Sequence, residues 1–511
     1  MSRNQTQDVA ALRPALPMDG AIESPISPVV KARSLSGYML GWTLASILVA
    51  GPLAAQEWQR LERIDVRPDG QPSADAGQNT SMSISDDGRW VVFQSDQTDL
   101  VAGDTNGTTD VFVRDRKTNT TRRLSVRPDG SQATGSSYLP HASSNGRFVS
   151  FMSGDAEMVG NDNNYKADVF LLDRDADGNG VFDETGGTSL TRISVNNAGA
   201  ELFPGAESVR TAVSDNGSHV AFASTAPIDS VDNNGKSDVY LRDLEQATTP
   251  PMSVSTAGII GDNRSPNFFT PPIRISGDGR FVAFSSEATN LVANDSNYKT
   301  DIFVHDRDSD ANGVFDEAGA TSTVRGNVGP AGAQIDSPSA FAQFDMDSSG
   351  RWVVFNSFED PVGGDPNASA ADIYLHDLTN GTISRIDMHP SGWIKSSNSC
   401  CGNELPLIAR NADVVVFRSS QLYSFSPGVT TSRSDAFVWT HDDGLMRLTD
   451  YPTPTGQNEG FSAMPLALSD NGTYAIVQIA SFEPAYASQE GIHVYHRPTG
   501  FRDGFEDPAV P

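Results

Sequence analysis

Residues 85–95 read SDDGRWVVFQS, residues 110–115 read DVFVRD and residues 121–126 read TRRLSV. These runs are short, rich in β-branched and aromatic residues, and alternate between apolar and polar positions, which is typical of β-strands. Asp87-Gly88-Arg89 is a turn signal inside the first run, since aspartate and glycine favour tight turns. With the apolar-polar segment before that turn, the stretch predicts four strands joined by short loops.

The same order of segments recurs along the chain. The turn glycine is found at Gly88, Gly146, Gly217, Gly279, Gly350 and Gly472, spaced by 58, 71, 62, 71 and 122 residues. The last spacing is two periods of 61, and a degenerate turn, Asn411-Ala412-Asp413, occupies the gap. The third strand begins at Asp110, Asp168, Asp238, Asp301, Asp372, Asp435 and Gly491. Seven copies are therefore present.

Each copy predicts a four-stranded antiparallel blade, whose strands we call A to D. One such blade cannot bury both of its faces, whereas copies stacked in a ring bury them against each other and leave few exposed edges. The sequence therefore predicts an all-β fold, a seven-bladed β-propeller formed as a single domain by residues 56–500.

The seventh copy has strands A, B and C at residues 464–469, 474–479 and 492–496, but no strand D. A spare D-like segment, LERIDV, lies at residues 61–66, and its continuation RPDG at 67–70 repeats at 127–130. We expect this N-terminal strand to complete the last blade and so to close the ring, because a missing strand would leave an exposed sheet edge.

The recurring S-x-D-G-R-x-V-x-F-x-S, followed by an acidic turn and D-V-F-V-x-D, resembles the TolB-like, WD-like propeller repeat of secreted and periplasmic bacterial proteins. The resemblance covers residues 61–500. It implies a propeller fold and an extracytoplasmic location. It says little about activity, because that family mostly supplies binding platforms and accessory domains.

The N-terminal region has the pattern of a signal peptide with a long leader, residues 1–55. Residues 24–56 contain no Asp or Glu, and Lys31 and Arg33 precede the apolar run 38–55, which ends in Ala54-Ala55. The alternative is an uncleaved anchor, since the run is almost long enough to span a bilayer. After cleavage we expect a periplasmic or secreted protein without membrane insertion. Residues 501–511 form a C-terminal tail.

Composition excludes some partners. Lys and Arg number 36 against 65 Asp and Glu, a formal net charge of −29. Nucleic acids and anionic lipid surfaces attract basic proteins, so neither is an expected partner. The two cysteines, Cys400 and Cys401, are adjacent and cannot close a long loop within one chain.

Two copies carry an acidic insertion between strands C and D, residues 173–184 and 306–317, in which carboxylates and amides alternate around glycine as calcium requires. The EF-hand register starts at Asp173 and ends at Glu184, but the second copy then has Ala311 where the turn glycine belongs. The register D-x-D-x-N-G-x-x-D fits both copies and is preferred. Its side-chain ligands are Asp175, Asp177, Asn179 and Asp183, and Asp308, Asp310, Asn312 and Asp316.

These loops resemble the short calcium loops of integrin-type propellers, and that resemblance adds the backbone carbonyls of Val181 and Val314. Calcium is expected to bind weakly, with Kd of about 10⁻⁴ to 10⁻³ M.

A second acidic motif, Asp-x-Asn, precedes strand C at residues 104–106, 162–164, 232–234, 295–297 and 365–367. Aspartate and asparagine bond their own backbone in turns, so this motif predicts structural turns.

No catalytic motif is recognisable: a G-x-S-x-G elbow, an H-E-x-x-H helix and a phosphate-binding glycine loop are all absent from the sequence. His305 and His376 occupy a variable strand position.

We therefore expect a monomeric, calcium-stabilised binding or scaffold module that takes a protein or glycan partner. The expected binding face is the one formed by the D–A loops, which include Trp393. The alternative is a hydrolase or lyase acting on polysaccharide or glycoconjugate.

Overall fold

The computed structural model describes residues 58–75, 79–160, 162–202, 208–228, 232–266, 273–336, 343–364, 370–388, 402–420, 434–448, 461–481 and 490–497. The proposed signal peptide, the C-terminal tail, the cysteine pair, Trp393 and the turn at 365–367 lie outside these residues. The expectations for them stay predictions.

Seven antiparallel sheets form the propeller, one for each sequence repeat. Blade 1 is β2 (Asn79–Ile84), β3 (Trp90–Ser95), β4 (Asp110–Asp115) and β5 (Thr120–Arg123); blade 2 is β6 (Ser137–Ala142), β7 (Phe148–Ser153), β8 (Asp168–Asp173) and β9 (Ser189–Arg192). Blade 3 is β10 (Ser208–Val213), β11 (His219–Ser224) and β12 (Asp238–Asp243); blade 4 is β13 (Arg274–Ile275), β14 (Phe281–Ser286), β15 (Asp301–Asp306) and β16 (Ser322–Arg325).

Blade 5 is β17 (Phe344–Met346), β18 (Trp352–Ser357), β19 (Asp372–Asp377) and β20 (Thr382–Arg385); blade 6 is β21 (Asn403–Ile408), β22 (Val414–Ser419), β23 (Asp435–Thr440) and β24 (Gly444–Arg447). Blade 7 is β25 (Phe461–Leu468), β26 (Tyr474–Ser481), β27 (Gly491–His496) and β1 (Gln59–Arg63). The helices of the described residues are two 3₁₀ turns, Pro330–Gly332 and Arg410–Ala412. The seven-bladed propeller predicted from the repeats is confirmed.

In blade 3 the D position is occupied by residues 248–252, which follow β12 without forming a continuous strand. The Asp243 N–H donates to the Thr248 carbonyl at 2.9 Å and the Met252 N–H donates to the Val239 carbonyl at 2.7 Å. Between them stand Pro250 and Pro251, which have no N–H to donate to a ladder. The segment therefore lies in the place of a strand but bonds only at intervals.

The N-terminal strand lies at the outer edge of blade 7. β1 pairs antiparallel with β27, Gln59 opposite His496 and Arg63 opposite His493. The Ile64 N–H then donates to the Ile492 carbonyl at 2.8 Å, and the Ile64 side chain is completely buried. Ile64 belongs to an apolar cluster shared by blades 1 and 7. The first strand therefore occupies the position that the seventh repeat lacks.

The turn glycines explain how neighbouring blades pack so closely. Gly146 of blade 2 has φ +71°, and a Cβ there would lie 2.9 Å from the Trp90 side chain of blade 1. Gly88 of blade 1 stands against the Tyr474 ring of blade 7 in the same way. In the degenerate sixth turn Ala412 occupies the glycine position with φ +58°, so the chain keeps the left-handed conformation there without glycine.

Candidate functional site

The first strands of all seven blades surround a central cavity of about 690 Å³. Its wall is mainly apolar, formed by leucine, isoleucine, methionine, valine and proline side chains from β2, β6, β10, β13, β17, β21 and β25. Large apolar cavities with a few polar groups are the usual form of ligand sites. The cavity is therefore the principal candidate site of the described residues.

Several strands bulge where they face this cavity. Ser81, Leu139, Arg210 and Leu405 have φ of 52°, 52°, 70° and 53°, and the pairing register of their strands shifts at these points. A non-glycine residue in the left-handed region is strained, and bulges turn side chains towards sites. The bulges place these four residues in the cavity wall.

A small set of charged and polar groups interrupts the apolar wall. Arg274 of blade 4 forms an ion pair with Asp345 of blade 5, whose other oxygen accepts the Ile408 N–H at 3.0 Å. His141 accepts the Val213 N–H on Nδ1 at 3.2 Å. Burial and the Arg274 cation lower the pKa of His141 to about 3, so the ring is neutral at physiological pH.

The A–B turns form a continuous hydrogen-bonded ring at one end of the cavity. The residue two positions before the turn glycine or its equivalent in each blade, from Asp86 in blade 1 to Asp470 in blade 7, takes part in these contacts. The joining pairs are Asp86 with Ser144, Ser144 with Asp215, Asp215 with Gly277, Gly277 with Ser348, Ser348 with Arg410, Arg410 with Asp470, and Asn471 with Asp86. We call this the turn ring.

Two carboxylates of the turn ring share one cation. The Arg410 Nη2 atom lies 2.5 Å from Asp470 Oδ2 and 3.7 Å from Asp215 Oδ2. Burial raises the pKa of Asp470 to about 6, while a Ser348 hydrogen bond and Arg410 act in the opposite direction. The carboxylates at this end of the cavity are thus paired within the turn ring.

The two acidic insertions adopt matching conformations. In the first, Asp175 accepts the Gly180 N–H at 3.1 Å, and the Asn179 side-chain amide donates to Asp177 at 2.9 Å and also to Glu184. In the second, Asn312 donates to Asp310 at 3.1 Å and to Glu317 at 2.6 Å, and Asp308 accepts the Gly313 N–H at 2.9 Å. Asp175, Asp177 and Asn179 thus lie on one hydrogen-bonded loop, and their role as calcium ligands stays a prediction.

The last carboxylate of the preferred register points elsewhere. Asp183 binds the completely buried Arg174 through both oxygens, at 2.9 Å and 2.5 Å, and Asp316 binds Arg307 in the same way. The EF-hand register loses its first residue similarly, because Asp173 pairs with Arg147 at 2.7 Å. A calcium ion in the first loop would therefore rely on Asp175, Asp177, Asn179, the Val181 carbonyl and Glu184.

The second half of each insertion packs on the preceding blade, a role that the sequence did not predict. The Phe182 ring stacks on Trp90 of blade 1 with 5.2 Å between centroids, and the Arg174 guanidinium lies 4.2 Å from the Trp90 ring. In the second insertion Phe315 meets His219 of blade 3 at 5.6 Å. The sequence V-F-D-E occurs in both insertions, at residues 181–184 and 314–317, and this repetition is the signal from which the packing could have been predicted.

The four Asp-x-Asn motifs that lie within the described residues are turns, as predicted. Asn106 accepts the Thr108 N–H at 3.1 Å, and Asp104 pairs with the buried Arg123 at 3.0 Å. In blade 2 a third carboxylate, Glu201, stands where blade 1 has Gln132. Oxygens of Asp162, Asp168 and Glu201 lie within 4.8 Å of one another. His305 and His376 are buried strand residues that bond Thr323 and the Gly326 carbonyl.

Comparison with known proteins bears on the fold. No protein-family model matches the chain, and no curated protein matches it. The chain is similar to the crystal structure of TolB from Acinetobacter baumannii, with 14% identity, a TM-score of 0.32, and coverage of 65% of this chain and 57% of that one. The β-propeller fold itself rests on the seven antiparallel sheets of the described residues. The resemblance seen in the repeats is confirmed at that level.

Propellers of other proteins are similar as well. The β-propeller domain of the trilobed protease from Pyrococcus furiosus matches with 9% identity and a TM-score of 0.44, covering 84% of this chain and 97% of that one. An acylaminoacyl peptidase from Pyrococcus horikoshii matches with 10% identity and a TM-score of 0.42, covering 83% of this chain and 53% of that one. No helix among the described residues is long and apolar enough to cross a membrane.

Proposed function

We propose that this propeller is an extracytoplasmic binding or scaffold module for a protein or glycan. The observation that supports this best is the apolar cavity of about 690 Å³ bounded at one end by the turn ring. A ligand would then approach from the opposite face, where the D–A and B–C loops lie. Leu139, Leu405 and Leu407 supply apolar contacts, and the Arg274–Asp345 ion pair supplies the polar groups that would orient a ligand.

Capture from an envelope extract tests this function, with two leucine variants that differ only in position. Leu405→Glu places a carboxylate in the cavity wall, whereas Leu61→Glu places one on the exposed side of β1. We expect the cavity variant to capture at least tenfold less of the partner and the control to capture as much as the parent. Equal capture by both variants and the parent would exclude the cavity as the site.

We further propose that calcium stiffens the two insertions. Each loop brings carboxylate and amide oxygens and a backbone carbonyl together on one short stretch, and these are the oxygen donors that calcium prefers. Isothermal titration of the chelator-treated protein should give heat with a Kd of about 10⁻⁴ to 10⁻³ M. No heat at millimolar calcium would remove this part of the proposal, and repeating the capture with chelator shows whether the partner needs the ion.

The alternative function, hydrolysis of a polysaccharide, has one observation in its favour. Asp215 and Asp470 stand close enough to contact the same Arg410 nitrogen, and glycoside hydrolysis uses a pair of carboxyl groups. We favour binding because Arg410 occupies the space between them. Release of reducing ends by the parent, abolished in Asp470→Asn, would instead establish the hydrolase.

A further inference from the structure

Two of the turns between strands B and C, those of blades 2 and 4, carry an exposed tyrosine. The corresponding turns of blades 1 and 3 carry glycine at the same position. After Asp-x-Asn the chain enters the left-handed region in blades 1 and 3 at Gly107 and Gly235, with φ of 63° and 65°. In blades 2 and 4 the same position is Tyr165 and Tyr298, with φ of 55° and 54°. The four turns share one backbone shape, so the repeats provide their own comparison.

Tyrosine at this position is unfavourable for stability. A bulky residue is strained in the left-handed region, whereas glycine adopts it freely. Burial does not repay that cost, since Tyr165 is 80% exposed and Tyr298 is 84% exposed. Two rings held in strained turns and turned towards solvent therefore indicate a contact with something outside the chain.

A lysine directly follows the left-handed residue in three consecutive blades, blades 2, 3 and 4. The chain has six lysines, and three of them are Lys166, Lys236 and Lys299, all exposed and all next to the left-handed position. Each backbone N–H bonds the preceding asparagine side chain, at 2.6, 2.6 and 2.9 Å, so the three side chains leave the turns in the same way. These three turns therefore hold half of the lysines of the chain.

The aspartates of the same turns are engaged elsewhere. Asp295 pairs with Arg325 at 3.0 Å, Asp232 accepts the Tyr240 hydroxyl, and Asp162 lies in the carboxylate cluster of blade 2. None of the three lysines forms an ion pair within the part of the chain that the structure describes. The three ammonium groups therefore lie beside the two tyrosines without a direct ion-pair partner among the described residues.

We propose that Tyr165, Lys166, Lys236, Tyr298 and Lys299 form a binding arc for an acidic polysaccharide, a polymer of sugars that bears carboxylates. This inference rests on the proposed function and names its ligand class. B–C turns of successive blades lie side by side on the face that the D–A loops share, so a chain molecule can contact all three turns. Each exposed ring offers an open platform for one sugar face, and each ammonium group pairs with a carboxylate.

An extended polymer suits this surface better than a folded partner. Protein hot spots lie in closely packed, desolvated centres, whereas these rings stand apart on an open rim. The net negative charge of the chain opposes a polyanion only weakly at physiological salt, where charges beyond about 8 Å are screened. Contacts at the lysines are shorter than that distance, and binding should weaken as salt is added.

The test restores in blades 2 and 4 the residue that blades 1 and 3 already have. The mature parent, Tyr165→Gly/Tyr298→Gly and Lys166→Thr/Lys236→Thr/Lys299→Thr are run in affinity gels containing polygalacturonate, with dextran gels as the neutral control. We expect polygalacturonate to retard the parent, and both variants to bind it at least tenfold more weakly. The tyrosine variant should unfold at the same temperature as the parent or higher, because glycine relieves the strained turns.

Retardation of the tyrosine variant equal to that of the parent would overturn the assignment. So would a parent that ignores polygalacturonate but captures a protein partner which the tyrosine variant loses, because the arc would then bind a protein and the proposed function would stand. A partner captured through the Leu405 wall while both arc variants behave like the parent would likewise refute the arc alone.

Discussion

Arg410 of blade 6 reaches Asp215 of blade 3, with 3.7 Å between Nη2 and Oδ2. In a ring of seven blades these two stand on opposite sides, so the arginine side chain spans the central axis. Its Nε also donates to Ser348 of blade 5 at 2.9 Å, and Asp470 of blade 7 is its nearest carboxylate. One side chain from the degenerate repeat therefore links four blades at the end of the cavity.

Replacing Arg410 should change electrostatics more than stability. In Arg410→Met the pKa of Asp470, already raised to about 6 by burial, should rise further because an opposing cation is lost. The free energy of unfolding should fall by less than about 1 kcal/mol, since Arg410 is 48% exposed and solvent screens its pairs. Titration by NMR measures the pKa. Arg67→Met, which removes a comparable surface arginine, should leave it unchanged; an unchanged pKa in both variants would contradict the contact.

The N-terminal strand should carry much of the stability of blade 7. Ile64→Ala removes a completely buried side chain between blades 1 and 7 and should cost about 2 to 5 kcal/mol. Leu61→Ala, on the same segment but 40% exposed, should cost less than about 1 kcal/mol. Deleting residues 58–66 should expose the edge of β27 and broaden the unfolding transition. Denaturant unfolding compares the three, and a deletion variant with the parent's profile would show that the ring does not need this strand.

Alanine variants of two turn glycines should distinguish the cost of backbone strain from the cost of a steric clash between blades. Gly350→Ala and Gly107→Ala both put a methyl group at positive φ, 72° and 63°. At Gly350 that methyl would also collide with Phe281, whereas nothing lies within 4 Å of it at Gly107. We expect a loss of about 1 kcal/mol at Gly107 and at least twice that at Gly350. Thermal unfolding measures both; equal losses would mean that the neighbouring blade yields without cost.

The repeats predicted the features that local chemistry determines. Alternating apolar residues and left-handed turns are read from a few neighbouring positions, so the strands, the blade count and the vacant position beside β27 could be inferred. The contact of Arg410 with Asp215 could not, because 195 residues separate them and only the closed ring brings them together. The pairing of Asp183 with Arg174 was missed for a different reason. Asp183 has φ of 61°, which turns its carboxylate away from the loop that its spacing suggested.

The first insertion contains two aspartates that should respond differently to calcium. Asp183→Asn weakens the partner of the completely buried Arg174 and should destabilise the protein by about 3 to 5 kcal/mol, with or without chelator. Asp177→Asn changes an exposed carboxylate and should leave stability in chelator within about 0.5 kcal/mol of the parent. Only the calcium-induced rise in melting temperature should shrink in Asp177→Asn. A full calcium response there would remove Asp177 from the ligands.

The carboxylate cluster of blade 2 should make stability depend on pH. Burial raises the pKa of Asp168 to about 6, and Glu201 contributes to the raised pKa values of Asp168 and Asp162. A carboxyl group with a raised pKa binds its proton more tightly in the folded state, so its destabilising effect is absent below about pH 4 and complete above about pH 6. Blades 1 and 4 carry Gln132 and Gln334 at the position of Glu201, and Gln132 donates to Asp104 at 2.9 Å.

Glu201→Gln removes the charge that helps to raise the pKa values of Asp162 and Asp168, and it also weakens the backbone bonds from Asn163 and Asn164 that lower the pKa of Glu201. The stability difference from the parent should therefore change between pH 4 and pH 7. Urea unfolding between pH 4 and 7 measures the difference from the parent at each pH. Glu157→Gln, which changes a 74% exposed carboxylate of the same blade, should leave the pH dependence unchanged. A constant difference across this range would mean that the cluster does not titrate between the unfolded and raised pKa values, and that a bound cation or another contact already neutralises it.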